Sequence, residues 1–189
     1  RIPKHYEQMV GRIAMPGAYD RSRKSAVVRS ISSNYSNALS SYFGTKTPSY
    51  EAAVGAHTAY VTALRAHGTE VTVLPELTEF PDSCFVEDTA VMIDGKAIIP
   101  NMGHPSREGE QKAVLEHMSN FAEIIQMPNG ATLDGGDVIF FDDRYLIGRS
   151  TRTNKEGGDF LASHIKKNGY DAEFIDVPDS TLHLTTVCS

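Results

Sequence analysis

Residues 80–91, FPDSCFVEDTAV, place Asp82, Glu87 and Asp88 within seven positions. Val86 and Val91 read as core, and a carboxylate between them is expensive to bury without a positive partner. Downstream, LDGGD supplies Asp134 and Asp137, LHL supplies His183, and Arg107 and Arg152 each stand ahead of a helix. A guanidinium presents several N–H donors in a fixed fork that matches carboxylates in bidentate fashion. Asp88 and Asp134 are therefore expected to clamp a guanidinium from two sides. Arg107 and Arg152 suit a ligand carboxylate for the same geometric reason, and Asp82 suits an α-amino group. The implied ligand is arginine-like. His183, with an ordinary pKa near ~6.5, suits proton transfer at neutral pH. Displacing nitrogen from a guanidinium carbon also needs a nucleophile, which a cysteine usually supplies.

Taken singly, each motif has an ordinary reading. FVED can be a strand with one charged edge residue, DGGD a turn, His183 a hydrogen-bonded structural group, and the two arginines solvated side chains. Cys84 and Cys188 read as small buried apolar residues. His104, in HPSRE, reads as a turn residue, because no partner spacing supports a metal. What raises the charged residues above these readings is where the elements put them.

After a polar, basic arm over residues 1–24, a strand is expected at 25–31 and a long Ser/Asn-rich loop at 32–49. A helix follows at 50–68, ended by a glycine, and then strands at 70–74, 85–93 and 96–100, with an Asp94-Gly95 turn. The order recurs: helix 108–121, strands 122–127, 137–141 and 145–148, then helix 155–169 and strands 172–177 and 182–188. Asp82, Glu87 and Asp88, then Asp134 and Asp137, then His183 fall at matching places in successive passes, and Arg107 matches Arg152. Modules packed about a common axis would bring them to one pocket.

The totals agree with a small-ligand protein. The chain has 189 residues, 40% hydrophobic and 22% charged, enough for one sizeable core. Its net charge of −6 argues against nucleic acid and fits a cationic ligand. Two cysteines and no CxxC fit a reducing, cytoplasmic setting with neither disulfide framework nor zinc site. No stretch approaches the ~20 apolar residues of a membrane span. The start lacks a Met and a signal peptide's apolar core, so something upstream is expected to be removed or absent.

Together, FPDSCFVED, HPSRE, GATLDGGDVIF, IGRSTRTNKEG and LHLTTVCS resemble the dimethylarginine dimethylaminohydrolase family of guanidino-modifying enzymes, over residues 26–189. The resemblance implies an α/β pentein-type propeller of helix–strand–strand–strand modules, with three of five present in residues 25–189. It implies Asp88 and Asp134 on the guanidinium, Asp82 and Glu87 at the amino end, Arg107 and Arg152 on the carboxylate, His183 as general acid/base, and Leu39 on a closing loop. It implies no metal and no organic cofactor. The activity implied is hydrolysis of Nω,Nω-dimethylarginine or monomethylarginine to citrulline through a cysteine-bound thiouronium. The family's nucleophilic cysteine lies in a fifth module, to which neither Cys84 nor Cys188 corresponds. The chain alone is therefore expected not to turn over, and to associate through uncovered edges, as a homo-oligomer or with a complementing C-terminal fragment. Two alternatives stay open. One is an arginine deiminase-like hydrolase, a class that tends to carry Arg where this chain has Glu87. The other is a non-catalytic arginine-binding scaffold.

Overall fold

A computed structural model describes residues 25–39, 49–141 and 144–188. The expected arm at 1–24 and the tip of the following loop, at 40–48, lie outside the described residues.

Three units of one plan make up the described fold. In each, a strand, a helix and a second strand form a crossover that sets the two strands parallel. The first is β1 (Ser25–Arg29), α1 (Tyr50–Ala66) and β2 (Glu70–Leu74). The second is β4 (Lys96–Ile99), α2 (Gln111–Met118) and β5 (Glu123–Gln126), and the third β7 (Arg144–Arg149), α3 (Lys155–Lys167) and β8 (Asp171–Asp176). In the second and third units a further strand, β3 (Val91–Ile93) or β6 (Val138–Phe141), pairs antiparallel with β4 or β7 and precedes it by a tight hairpin.

Local chemistry sets these limits. Ser49 Oγ accepts from the Ala52 amide at the start of α1, and Asn154 Oδ1 accepts from the Gly157 amide at the start of α3. Asp94 and Gly95 both take positive φ, as a two-residue hairpin turn requires. On α3 the buried residues Gly158, Leu161, Ala162 and Ile165 share one face, packed on β7 and β8. With Ile93, Ile98, Leu133 and Ile147 they form a core continuous across the second and third sheets. By contrast only Val61 of α1 is buried.

The order of elements matches the sequence reading, but the sheets divide it differently. β2 belongs with β1, not with β3 and β4, so the repeating unit is strand–strand–helix–strand. Two expected strands are also partly something else. Residues 85–93 form a 3-10 turn at Val86–Thr89 before β3, and 182–188 form a 3-10 turn at Leu184–Thr186. In both, side chains and near neighbours take the groups a sheet would need. Asp88 N donates to Phe85 O, Thr89 Oγ1 donates to Val86 O, and Leu184 N donates to the Asp137 carboxylate. A third such turn, Gly135–Asp137, shortens the expected strand at 137–141 to β6. The expected helix at 108 begins only at Gln111, because Pro105–Arg107 form a separate 3-10 turn and Gly109 takes φ +105°. No helix among the described residues is long and apolar enough to cross a membrane.

Candidate active site

The three 3-10 turns at 86–89, 135–137 and 184–186 each follow the last strand of one unit, and they pack against one another. Phe85, Asp134 and His183 stand at their first caps, with Asp88, Asp137 and Thr186 three residues on, each donating its amide back to the cap carbonyl. Such close approach of backbones needs glycine. A Cβ on Gly135 would lie 2.0 Å from Glu87 O, and one on Gly136 would lie 2.7 Å from His183 Nδ1 and 2.8 Å from Asp88 Oδ1.

An antiparallel hairpin returns the chain to the end where it began. A residue just before its first strand and one just after its second are therefore neighbours. Asp88 precedes β3 and Arg107 follows β4; their ion pair is 2.5 Å. Asp134 precedes β6 and Arg152 follows β7; their ion pair is 3.1 Å. The same fold element thus builds the same Asp–Arg pair twice. The two arginine loops also touch: Gly103 packs on the Arg152 backbone and donates its amide to Asp134 Oδ1 at 2.8 Å.

His183 lies between the pairs. Its Nε2 is 3.1 Å from Asp134 Oδ2, and its Nδ1 is 4.0 Å from Asp88 Oδ1. Burial works against the charged imidazole, but the Asp134 bond and the nearby Asp88 and Asp137 outweigh it and raise its pKa. Burial likewise works against ionised Asp134, but the bonds from His183 and Gly103 and the Arg107 charge hold its pKa below the usual value. Arg107 is buried, which disfavours its charge, yet Asp88 and Glu110 together raise its pKa. Its Nη2 is bonded to Glu110, itself fully buried.

These groups border a cavity of about 630 Å³, within the range of small-molecule sites. Asp82, Glu87, Asp88, Arg107, Arg152 and His183 all line it. Leu39 lines it too, and its amide donates to Asp82 Oδ1 at 3.1 Å, which ties the segment before residue 40 to the cavity wall. Asp134 does not line it. It sits beneath His183 with no exposure and with both oxygens committed. Asp134, expected opposite Asp88 on a guanidinium, is thus placed beneath the imidazole and hydrogen-bonded to it, not at the cavity wall.

Asp88, Asp134 and His183 offer donor atoms within 4.8 Å of one another, a spacing a metal could use. Both carboxylates are already neutralised by arginines, so the set is built as an ion-pair network and fits a metal poorly.

A sequence model of the family described as N,N dimethylarginine dimethylhydrolase, eukaryotic, matches residues 30–189. The chain belongs to that family. Curated relatives of this dimethylarginine hydrolase family include the N(G),N(G)-dimethylarginine dimethylaminohydrolase of Pseudomonas aeruginosa, 35% identical over 74% of this chain and 55% of that protein. The enzyme of the same name from Streptomyces coelicolor is 34% identical over 85% of this chain and 62% of its own length. This chain therefore spans under two thirds of the relatives it matches. Among solved structures, a cysteine-to-serine variant of the Pseudomonas aeruginosa enzyme complexed with citrulline superposes with a TM-score of 0.81 at 30% identity, over 86% of this chain and 64% of that one. The N-terminal domain of ArgZ, 14% identical with a TM-score of 0.71, shares the fold.

Within this family frame, one buried acid belongs to the site that the sequence reading left out of it: Glu110. Glu110 had a signal in its i,i+3 spacing from Arg107. Asp137, which the sequence reading brought to the same pocket as Asp134, is buried but does not line it.

Proposed function

We propose that this chain carries the ligand-binding and proton-transfer part of a dimethylarginine dimethylaminohydrolase, and that its three units are part of a larger propeller of such units. The observation that carries this reading is the lining of one cavity by three carboxylates and two guanidiniums, with an imidazole at their junction. The carboxylates suit the guanidinium and ammonium groups of arginine or its N-methylated forms, and the guanidiniums suit its carboxylate. Glu87 and Asp88 face the guanidinium, Asp82 the α-ammonium, and Arg107 and Arg152 the carboxylate.

In the reaction, a cysteine thiolate attacks the guanidinium carbon and forms a C–S bond. The C–N bond to the methylated nitrogen breaks, and dimethylamine leaves with a proton from His183. Water then adds to the thiouronium carbon and gives one proton to His183; the C–S bond breaks to return the thiolate, the remaining hydroxyl proton passes to solvent, and citrulline is left. His183 Nε2–H donates to the anionic Asp134, so Nδ1 is the nitrogen that carries the transferred proton. We infer that neither Cys84 nor Cys188 supplies that thiolate. Neither cysteine here lines the cavity, and burial together with Asp82 pushes the Cys84 thiol up to about 12.

The test is calorimetric titration of Nω,Nω-dimethylarginine into the 189-residue chain, with citrulline followed in parallel. Binding without citrulline formation is expected, weakened about tenfold or more in Asp88→Asn, since a lost hydrogen bond to a charged group is ~1.5–3 kcal/mol. Absence of binding, or an unaffected Asp88→Asn, refutes the reading. The two internal Asp–Arg pairs favour a second reading, an arginine-binding scaffold without turnover. It stands if the protein extended by any downstream coding sequence binds but never forms citrulline.

A further inference from the structure

Asp88 and Asp137 occupy the same place in successive turns, three residues after the cap, yet only Asp88 lines the cavity. Asp137 points away from it, with no exposure, and no salt bridge reaches it among the described residues. A buried carboxylate without a cationic partner is costly to maintain, which prompts the question of what it does.

Its bonds answer in part. Asp137 Oδ2 accepts from Ser150 Oγ at 2.5 Å and from Thr153 Oγ1 at 2.6 Å, and Oδ1 accepts from Leu184 N at 3.0 Å. Ser150 and Thr153 bracket Arg152, whose own amide donates to Ser150 Oγ at 3.0 Å. Leu184 directly follows His183. One carboxylate therefore grips both sides of the Arg152 loop and the turn that presents the imidazole. The strand behind comes as close as backbone allows: a Cβ on Gly148 would lie 2.8 Å from Asp137 Oδ1 and 3.0 Å from Leu184 Cβ. Burial raises the Asp137 pKa even against these three donors.

We propose that Asp137 is a positioning residue, which fixes the Arg152 loop and the His183 turn relative to each other through its three hydrogen bonds. It touches no ligand. The consequence for binding rests on the reading that Arg152 takes a ligand carboxylate.

The experiment compares Asp137→Asn, Asp137→Ala and the double variant Ser150→Ala/Thr153→Val in the 189-residue chain. Two ligands are titrated: arginine, and agmatine, which lacks the carboxylate. Asparagine keeps an acceptor for Leu184 N and can bond the two hydroxyls in the reverse sense. Asp137→Asn should therefore hold arginine affinity within about threefold, while Asp137→Ala and the double variant lose about tenfold, one hydrogen bond's worth to a charged group. Agmatine affinity should move less than threefold in all three. Equal losses for both ligands, an asparagine variant as weak as alanine, or no loss in the double variant overturns the proposal. If Asp137→Ala does not fold, the double variant carries the same prediction. A ligand-free readout separates this proposal from the function itself. Leu184 amide exchange should stay slow in the wild type and Asp137→Asn, and speed up in Asp137→Ala. If neither ligand binds the wild type, the function reading fails and the exchange data alone decide the role of Asp137; unchanged exchange in Asp137→Ala sinks it.

Discussion

Replacing Asp134 with asparagine tests the centre of the network. Asp134 is fully buried and accepts from Gly103 N at 2.8 Å, Arg152 Nη1 at 3.1 Å and His183 Nε2 at 3.1 Å. Asparagine keeps the oxygen for Gly103 but turns an amino group toward two donors. Removing one partner of a buried pair costs about 3–5 kcal/mol, because the other charge is left uncompensated. The lower end applies here, since His183 can shed its proton and accept at Nε2. For a chain of this length, ~3 kcal/mol lowers Tm by about 6–12 °C. At the same time the largest influence holding the His183 pKa up is gone, and burial carries it down. Urea unfolding at pH 7 reads the first effect, and 15N-detected titration of the imidazole reads the second. In a His183→Gln background the cost of Asp134→Asn should shrink, because the two side chains are coupled. A loss under about 1 kcal/mol with the His183 pKa unmoved would show that the ion-pair network does not exist as described.

Three further outcomes follow from the same geometry. Gly136→Ala sets a methyl 2.7 Å from His183 Nδ1 and 2.8 Å from Asp88 Oδ1. It should lower stability by about 1–3 kcal/mol and dimethylarginine affinity by about tenfold or more, measured by melting and calorimetry. Gly55→Ala, inside α1 where a Cβ meets nothing within 4 Å, should instead stabilise by up to about 1 kcal/mol in urea unfolding. Stability against pH should show two limbs. The His183 contribution is complete below 6.5 and is lost as pH rises through its raised folded pKa; that of Asp134 is complete above 3.8 and is lost as pH falls through its depressed one. Asp82, Glu110 and Asp137, all raised by burial, have the opposite sign and make the acid limb shallower. Urea midpoints from pH 3 to 9 should lose the alkaline limb in His183→Gln and keep a smaller acid limb, because His183 is the first of the influences that lower the Asp134 pKa.

Much of this was legible in the residues. Helical spacing and closing glycines mark α1 and α3, and runs such as EVTVL and AEFIDV mark β2 and β8. The convergence of charged residues was legible too, because they recur at one place in a repeated order. The short 3-10 turns were not. LHLTT alternates as a strand does and FVED opens on two β-prone apolar residues, and only the tertiary partners of Asp88 and Leu184 select a turn. Nor was the pairing legible. Sequence equivalence groups acid with acid and arginine with arginine, whereas hairpin closure joins each acid to the arginine of its own unit. Residues 1–24, read as an arm, lie outside the described residues.

On the proposed function, that pairing bears on why a site for an arginine-like ligand holds arginines against its own carboxylates. A buried ion pair is close to break-even in folding, since desolvation offsets most of the attraction. Its value lies in geometry. Asp88, Arg107, Asp134 and Arg152 have exposures of 6% or less, so none is free to fold outward into solvent. A ligand that carries a guanidinium and a carboxylate meets groups already ordered, and loses less affinity to side-chain entropy than it would against flexible charges. Asp88 has taken one bond from Arg107 and one from Gly136 N, and a carboxylate has about four acceptor sites, so it keeps capacity for a ligand N–H on the cavity side. Asp134 has committed three to Gly103, Arg152 and His183, which ties it to the imidazole and leaves a ligand N–H on the cavity side to Asp88. The repeated hairpin thus yields two similar pairs with different surplus, and on the proposed function that surplus suits one acid to binding and the other to holding the proton-transfer imidazole.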